Sequence, residues 1–437
     1  MRANRTLIWV LLIALGTIYY YFDLLIPRAR SADAANQMVG LYDYGGDFYP
    51  IWLTGRELLF HGRNPYTREM TQQIQLGLFG RVMDPRRPSD QSADFRAFSY
   101  PLYTDLLAGP LLPLGFDAVR IVLALLLPVL TAASLALWLR AFHLQLSPTT
   151  SAVAVILLLV SYPVLEGLYA QQAGLLVGAV LAMSAAAIAR GRLVLGGMML
   201  AFASVKPQLV WLLAACLLLW AVSDWKRRKS FALSFIVTML SLFLVSDLIL
   251  PGWFRGWWNS LVGYSHYTLP PLTQLVLGRY VGALIGLVML ALAGGICWRA
   301  RQRPVGSANF SLAISFVLAV TVILAPTGGA VYDQVILLPG TLWLVCRRAE
   351  ILNASRPMRV LVLSAVIALG WQWVLSCGVA LASLVSPVWA RTPAVIVFPT
   401  RMAASFPLVL LALLSFFVVR EMRGETALDG GRAVGPH

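Results

Sequence analysis

Charge is scarce in this 437-residue chain: Asp, Glu, Lys and Arg together make up 12% of it, about half the share usual in a soluble domain. Acidic residues are the scarcer sign, 19 against 34 basic ones. Cysteine and histidine number four each. Cys216, Cys297, Cys346 and Cys377 lie in or at the ends of apolar runs without a C-x-x-C spacing, which excludes a disulfide framework and a zinc site. His61, His143, His266 and His437 are too scattered to form a two-histidine helical metal motif. No acidic cluster suits a hard cation, so neither a metal nor a cofactor is expected. No repeat period or low-complexity tract is present either.

Apolar residues make up 59% of the chain and mean hydropathy is +0.76, so segments long enough to cross a bilayer must recur. The expected fold class is an all-α polytopic membrane protein. A net charge of +15 would suggest nucleic acid in a soluble protein. Here the basic residues fall in short loops between apolar spans, where they orient the protein and meet anionic head groups. No nucleic-acid partner is expected, because no polar segment is long enough on the basic side to build a groove.

Arg2 and Arg5 precede the apolar run Leu7 to Ile26, which lacks a small-residue cleavage site and reads as an uncleaved anchor with a cytoplasmic start. Later spans read as 117–140, 149–165, 170–189, 194–222, 231–250, 275–298, 309–325, 334–346, 360–380 and 404–419. The segment 194–222 is too long for one ordinary span and is basic at both ends, so a break is expected at Lys206-Pro207, with two short helices meeting at a polar cavity. About twelve transmembrane segments result. Arg140, Arg190, Arg192, Lys226 to Lys229, Arg299, Arg301, Arg303, Arg347, Arg348 and Arg420 then share the cytoplasmic side. The opposite side receives a long first loop, 27–99, expected to be periplasmic, and an interfacial or re-entrant helix over 100–115, "YPLYTDLLAGPLLPLG". Residues 1–420 are expected to form one domain, and 421–437 a polar, disordered cytoplasmic tail.

Charged groups in or against hydrocarbon are costly and therefore candidates for function. Lys206 lies in mid-segment; Asp23, Arg120, Glu166, Asp247, Arg279 and Asp333 lie near the outer ends of spans. Arg120 and Arg279 could equally snorkel to head groups, and Lys206 could pair with a carbonyl at the broken helix. Gln171 and Gln172 could bond a sugar or cap the next span. An outward cavity with basic groups at the interface and a carboxylate above suits transfer from a lipid-linked phosphate. Arg or Lys holds the phosphate, and one carboxylate activates the acceptor hydroxyl. A glycosidase would need a carboxyl pair.

"GGDFYPIWLTGRELLFHGRNPY", "FSYPLYTDLLAGPLLPLGF" and "GLYAQQAGLLVGAVLAMSAAAIARGRLVLGGMMLAFASVKPQLVWLL" together resemble the succession found in glycosyltransferase family 87, a branch of the GT-C superfamily. The likeness covers most of 40–225 and, more loosely, "WFRGWWNSLVGYSHYT" and "APTGGAVYDQVILLP". Two departures are Tyr100-Pro101-Leu102 for Tyr-Pro-Pro, and Ala170-Gln171-Gln172 where a Gly-Gln turn is usual.

The resemblance implies a GT-C-like fold, a polyprenyl-phosphate-sugar donor as co-substrate with mannose the usual sugar, a glycolipid or glycan acceptor, and Asp47 as the general base. Asp43 is its rival. Asp47 could also cap the helix that begins near Phe48. Lys206, Arg120 or Arg279 would hold the phosphate. Gln171, Gln172, Tyr264, His266 and Asp333 are further substrate-binding candidates, although an aromatic belt or a helix-dipole partner would look the same. Arg56, Asn64 and Tyr66 are expected to shape the loop. The setting implied is a bacterial inner membrane, with the site facing the periplasm. A transporter or lipid flippase is the alternative, since broken helices also build transport sites.

Overall fold

Pro27 sits within the first long helix, where its ring would strike the carbonyl four residues back and it can donate no hydrogen bond. The backbone accommodates it by widening: Arg2–Tyr19 is α-helical, Tyr20–Leu25 is a π-helix, and Ile26–Ala35 continues as α-helix. The first helix thus runs nine residues past the expected boundary at 26. Consecutive tyrosines in the π segment reach different neighbours, Tyr20 Oη donating to Ile396 O at 2.5 Å and Tyr21 Oη to Glu166 Oε2 at 2.7 Å. The computed structural model describes residues 2–38, 44–84, 86–87, 90, 96–266, 268–326, 330–348 and 356–422. No strand occurs among them. Of the expected tail, 423–437 lie outside the described residues.

By length and composition six helices could cross a membrane, at Arg5–Ala35, Phe116–Ala141, Trp225–Ile249, Arg279–Ala300, Arg356–Val385 and Pro393–Arg420. Pro148–Leu159 and Tyr162–Ala170, bent by 54°, could together form a seventh. Five more apolar helices are shorter: Ala173–Ala189, Leu193–Val205, Pro207–Val222, Ala308–Leu324 and Val331–Cys346. Ala308–Leu324 is buried nearly throughout, apolar on every side as a central helix should be. Two of its hydroxyls bond back along the helix, Ser315 Oγ to Ser311 O and Thr321 Oγ1 to Val317 O, both at 2.8 Å.

The expected break lies where Lys and Pro interrupt the apolar run. Leu193–Phe202 passes through the 3-10 turn Ala203–Val205, Lys206 leaves helical geometry at φ −119° and ψ 80°, and Pro207 starts the next helix. At 1.5 Å per residue each arm is roughly 20–24 Å long, short of the ~30 Å hydrocarbon core. The two arms therefore form a hairpin with a polar turn, neither arm long enough to cross a core of that thickness upright. The arm Leu193–Phe202 packs closely on Trp225–Ile249: a Cβ on Gly197 would collide with Phe231 O and Ser234 Oγ.

The basic loops gather at one end. Arg228 Nη1 donates to Trp220 O and Arg301 O at 2.8 Å, Trp220 Nε1 donates to Arg303 O at 3.3 Å, and Gly306 abuts His143. Helices Phe116–Ala141 and Ala173–Ala189 both run toward this end, and their first residues stand at the other.

The long first loop is itself folded. Helix Tyr49–His61 stops at Gly62 (φ +67°), as expected of a left-handed cap. Asn64 Oδ1 then takes Tyr66 N–H at 2.9 Å, and helix Arg68–Phe79 follows under a Thr67 cap. Arg56 Nη1 donates to Leu112 O at 3.0 Å and Tyr66 Oη to Tyr100 O at 3.0 Å, the loop-shaping roles read from the sequence. The stretch 100–115 departs from expectation, being no continuous helix. It forms Tyr103–Leu107, a 3-10 turn Gly109–Leu111 and further turns. Pro110 and Pro113 deny it the N–H groups a longer helix needs.

Candidate active site

Asp47 does not cap the helix that follows. The cap position is Phe48, which carries no side-chain capping bond, and Pro50 in the first turn reduces the demand for one. The Asp47 carboxylate turns inward instead. Arg96 Nη1 donates to its Oδ1, and Gln172 Nε2 donates to its Oδ2 at 2.6 Å. The backbone is pinned too, Gly45 N–H donating to Tyr169 O at 2.9 Å and Asp47 N–H to Ala170 O at 3.1 Å.

Gln172 bridges two charges. Its amide N–H faces Asp47, while its Oε1 accepts from Lys206 Nζ at 3.1 Å. Lys206 in turn donates to Asp333 Oδ1 at 2.8 Å, with its ammonium 4.9 Å from the centre of the Tyr332 ring. Residues from five separate parts of the chain therefore form one row: Arg96, Asp47, Gln172, Lys206, Asp333. Gly174 leaves room for its far end, since a Cβ there would lie 2.7 Å from Asp333 Oδ1.

A cavity of about 400 Å³ opens beside the row. Asp47, Arg96, Gln172 and Lys206 line it, with Glu166 on another wall and Trp257, Leu261 and Tyr264 from helix Trp253–Tyr264. That helix also fastens the loop bearing Arg96, Trp257 Nε1 donating to Ser99 O at 2.9 Å and Ser260 Oγ to Phe98 O at 2.5 Å. Tyr100 faces the cavity from the same loop. Burial, reinforced by the charge of Asp47, pushes its phenol well above the ordinary value, so it stays a hydrogen-bond donor. No metal-holding group of three or more His, Cys, Asp or Glu side chains occurs among the described residues.

The sequence candidates divide. Asp47, Gln172, Lys206 and Tyr264 come together at the cavity, and Asp333 stands behind Lys206 rather than on the wall. Gln171 stands behind it in left-handed geometry (φ +53°), its Nε2 donating to Arg120 O at 2.6 Å. That conformation explains why a glycine-containing turn would suit this place.

Arg120 braces rather than lines: it donates to Tyr44 O at 3.5 Å and pairs with Asp117 one helical turn away. Arg279 is exposed at the start of its helix and is not part of the cavity wall. His266 is also exposed, its Nδ1 3.0 Å from Val262 O, because the helix ends at Tyr264 and the turn carries it off the inward face. Asp43 lies outside the described residues.

Arg96 was not foreseen. It follows a polar stretch with no pattern of its own, and only the fold brings it to Asp47, 49 positions away. Tyr100 and Glu166 carried a signal, the Tyr-Pro stretch for one and an acid at a span end for the other.

Comparison with known proteins returns one family: the family model described as Glycosyltransferase family 87 matches residues 98–326, a little over half the chain. No curated protein matches it.

Proposed function

The chain belongs to glycosyltransferase family 87, a family of membrane glycosyltransferases, and from this we propose that it moves a hexose, mannose by preference, from a polyprenyl monophosphate to a hydroxyl of a glycolipid or glycan. One observation carries the reading: a carboxylate, Asp47, and a buried ammonium, Lys206, are held by the same glutamine at one cavity. The acceptor oxygen attacks the anomeric carbon as the bond from that carbon to phosphate oxygen breaks. Its electron pair leaves with the polyprenyl phosphate, and the acceptor proton passes to Asp47. Attack opposite the leaving group inverts the centre.

Phosphate is a good leaving group, so no acid is required opposite Asp47. Cations at head-group depth offset its charge. Counting the shorter apolar helices with the longer ones gives about twelve segments in a GT-C-like arrangement. The basic loops then face the cytoplasm, and the cavity opens toward the periplasm of a bacterial inner membrane. The transporter alternative draws only on the break at Lys206, and that lysine is engaged by the site.

The test is transfer of labelled mannose from polyprenyl-phosphate-mannose into membrane lipid or glycan by wild type and Asp47→Asn at equal expression. Removal of a general base predicts a loss of about 10²–10⁴-fold. Equal transfer by both would remove Asp47 from the chemistry. No transfer by wild type with several sugars offered would remove the donor class.

A further inference from the structure

Both oxygens of the Asp47 carboxylate already hold N–H donors, Arg96 on Oδ1 and Gln172 on Oδ2. A base in that condition offers an incoming hydroxyl only its leftover lone pairs. One of the two donors must give way for a well-directed bond to form. The two are not equally free to do so. Gln172 is fixed from behind by Lys206, itself 6% exposed and closed by Asp333 at 3%. Arg96 sits on a loop, its side chain 32% exposed at the cavity wall.

Charge points the same way. Lys206 and Asp333 offset one another, so an anion entering the cavity meets Arg96 as the cation whose counter-charge, Asp47, is reachable from the same space. Guanidinium binds phosphate oxygens through paired, charge-assisted bonds, so exchange of one anion for another keeps its charge paired. We propose that Arg96 changes partner: the lipid-linked phosphate draws it away from Asp47, and this release opens Oδ1 to the acceptor. The inference rests on the donor class proposed above and adds an order of events. The base is held closed until the donor is in place, which suppresses proton abstraction in its absence.

The exchange has a signature that does not need turnover. Asp47 and phosphate compete for one guanidinium, so removing the charge of Asp47 should strengthen phosphate binding. Labelled polyprenyl phosphate would be titrated into nanodiscs carrying wild type, Asp47→Asn, Arg96→Gln or the double variant. Asp47→Asn is expected to bind about tenfold tighter than wild type and Arg96→Gln about tenfold weaker, the worth of one charge-assisted bond. In the Arg96→Gln background, Asp47→Asn should change nothing.

Arg96→Lys, which keeps the charge, should recover part of the affinity, and unchanged thermal unfolding would show that it folds. Competition by millimolar inorganic phosphate in wild type but not in Arg96→Gln would support capture of the phosphate itself. Several results would overturn the exchange: equal or weaker binding by Asp47→Asn, tightening that persists without Arg96, or competition by phosphatidylglycerol as strong as by polyprenyl phosphate. If wild type binds no polyprenyl phosphate, the donor class falls and the exchange with it. If wild type and the three variants bind alike, the exchange alone falls.

Discussion

Removing one member of the Lys206–Asp333 pair leaves the other charged and buried without its partner, a change that typically costs about 3–5 kcal/mol. Lys206→Met and Asp333→Leu should each lower the unfolding temperature in detergent markedly. The double variant should recover most of that loss, because two apolar side chains suit that buried position better than one stranded charge. Transfer activity should not return with stability, since the cavity would have lost the cation that orients Gln172. Recovery of both together would make the pair purely structural.

Asp105 gives the contrasting case of an acid buried without a cation. It is fully enclosed, with Oδ1 3.2 Å from Thr54 Oγ1, and burial holds its carboxyl well above the usual carboxylate range. A folded-state value raised above the unfolded one favours folding in full below the unfolded value. The benefit is lost as pH rises through the folded value. Asp105→Asn should therefore flatten the decline in thermal stability between pH 5 and pH 8 and leave sugar transfer in place. An unchanged decline in the variant would show that the acid is ionised in the fold.

At the scale of elements, glycine sets how closely helices meet. The crossing of Leu193–Phe202 with Trp225–Ile249 depends on Gly197, where an added Cβ would meet backbone atoms that cannot rotate away. Gly197→Ala should destabilise the protein by about 1–3 kcal/mol, as overpacking does, read as a lower unfolding temperature. Gly294, with nothing within 4 Å of its Cβ position, is the control and should tolerate alanine.

How far the elements could be read from sequence follows from how local their causes are. Lys206-Pro207 announced its break because a charge and a missing N–H fall together in an apolar run. Gly62 ends its helix for a different local reason, the ease with which glycine takes a positive φ. Helix Ile26–Ala35 was hidden by its own composition, being polar enough to resemble a loop, and the prolines of 100–115 hid among apolar neighbours. The site was legible where a carboxylate or lysine stood out against hydrocarbon. It was illegible in Arg96, one basic residue in a polar loop, and Arg279, chosen by charge and position along the chain, stands exposed outside the cavity wall.

For the molecule as a whole, the alternating helix directions place the basic loops at one end and the cavity at the other. A cysteine at Arg63, on the exposed turn after Gly62, should react with a membrane-impermeant maleimide added to intact cells. A cysteine at exposed Lys226 should react only after lysis. Native cysteines would be replaced beforehand. The reverse pattern would turn the protein over and move the reaction to the cytoplasm.

The row from Arg96 to Asp333 also sets a timetable for biosynthesis. Lys206 precedes its carboxylate by 127 residues, which at ~5–20 residues per second takes about 6–25 s to translate. Throughout that interval the nascent chain must keep an ammonium whose counter-ion does not yet exist. The two short arms that flank Lys206 cannot settle into their final packing until Asp333 emerges. Ribosome-bound chains that keep Lys206 and are halted before 333 should leave a cysteine in place of buried Ser204 open to an aqueous maleimide, and chains halted well beyond it should not.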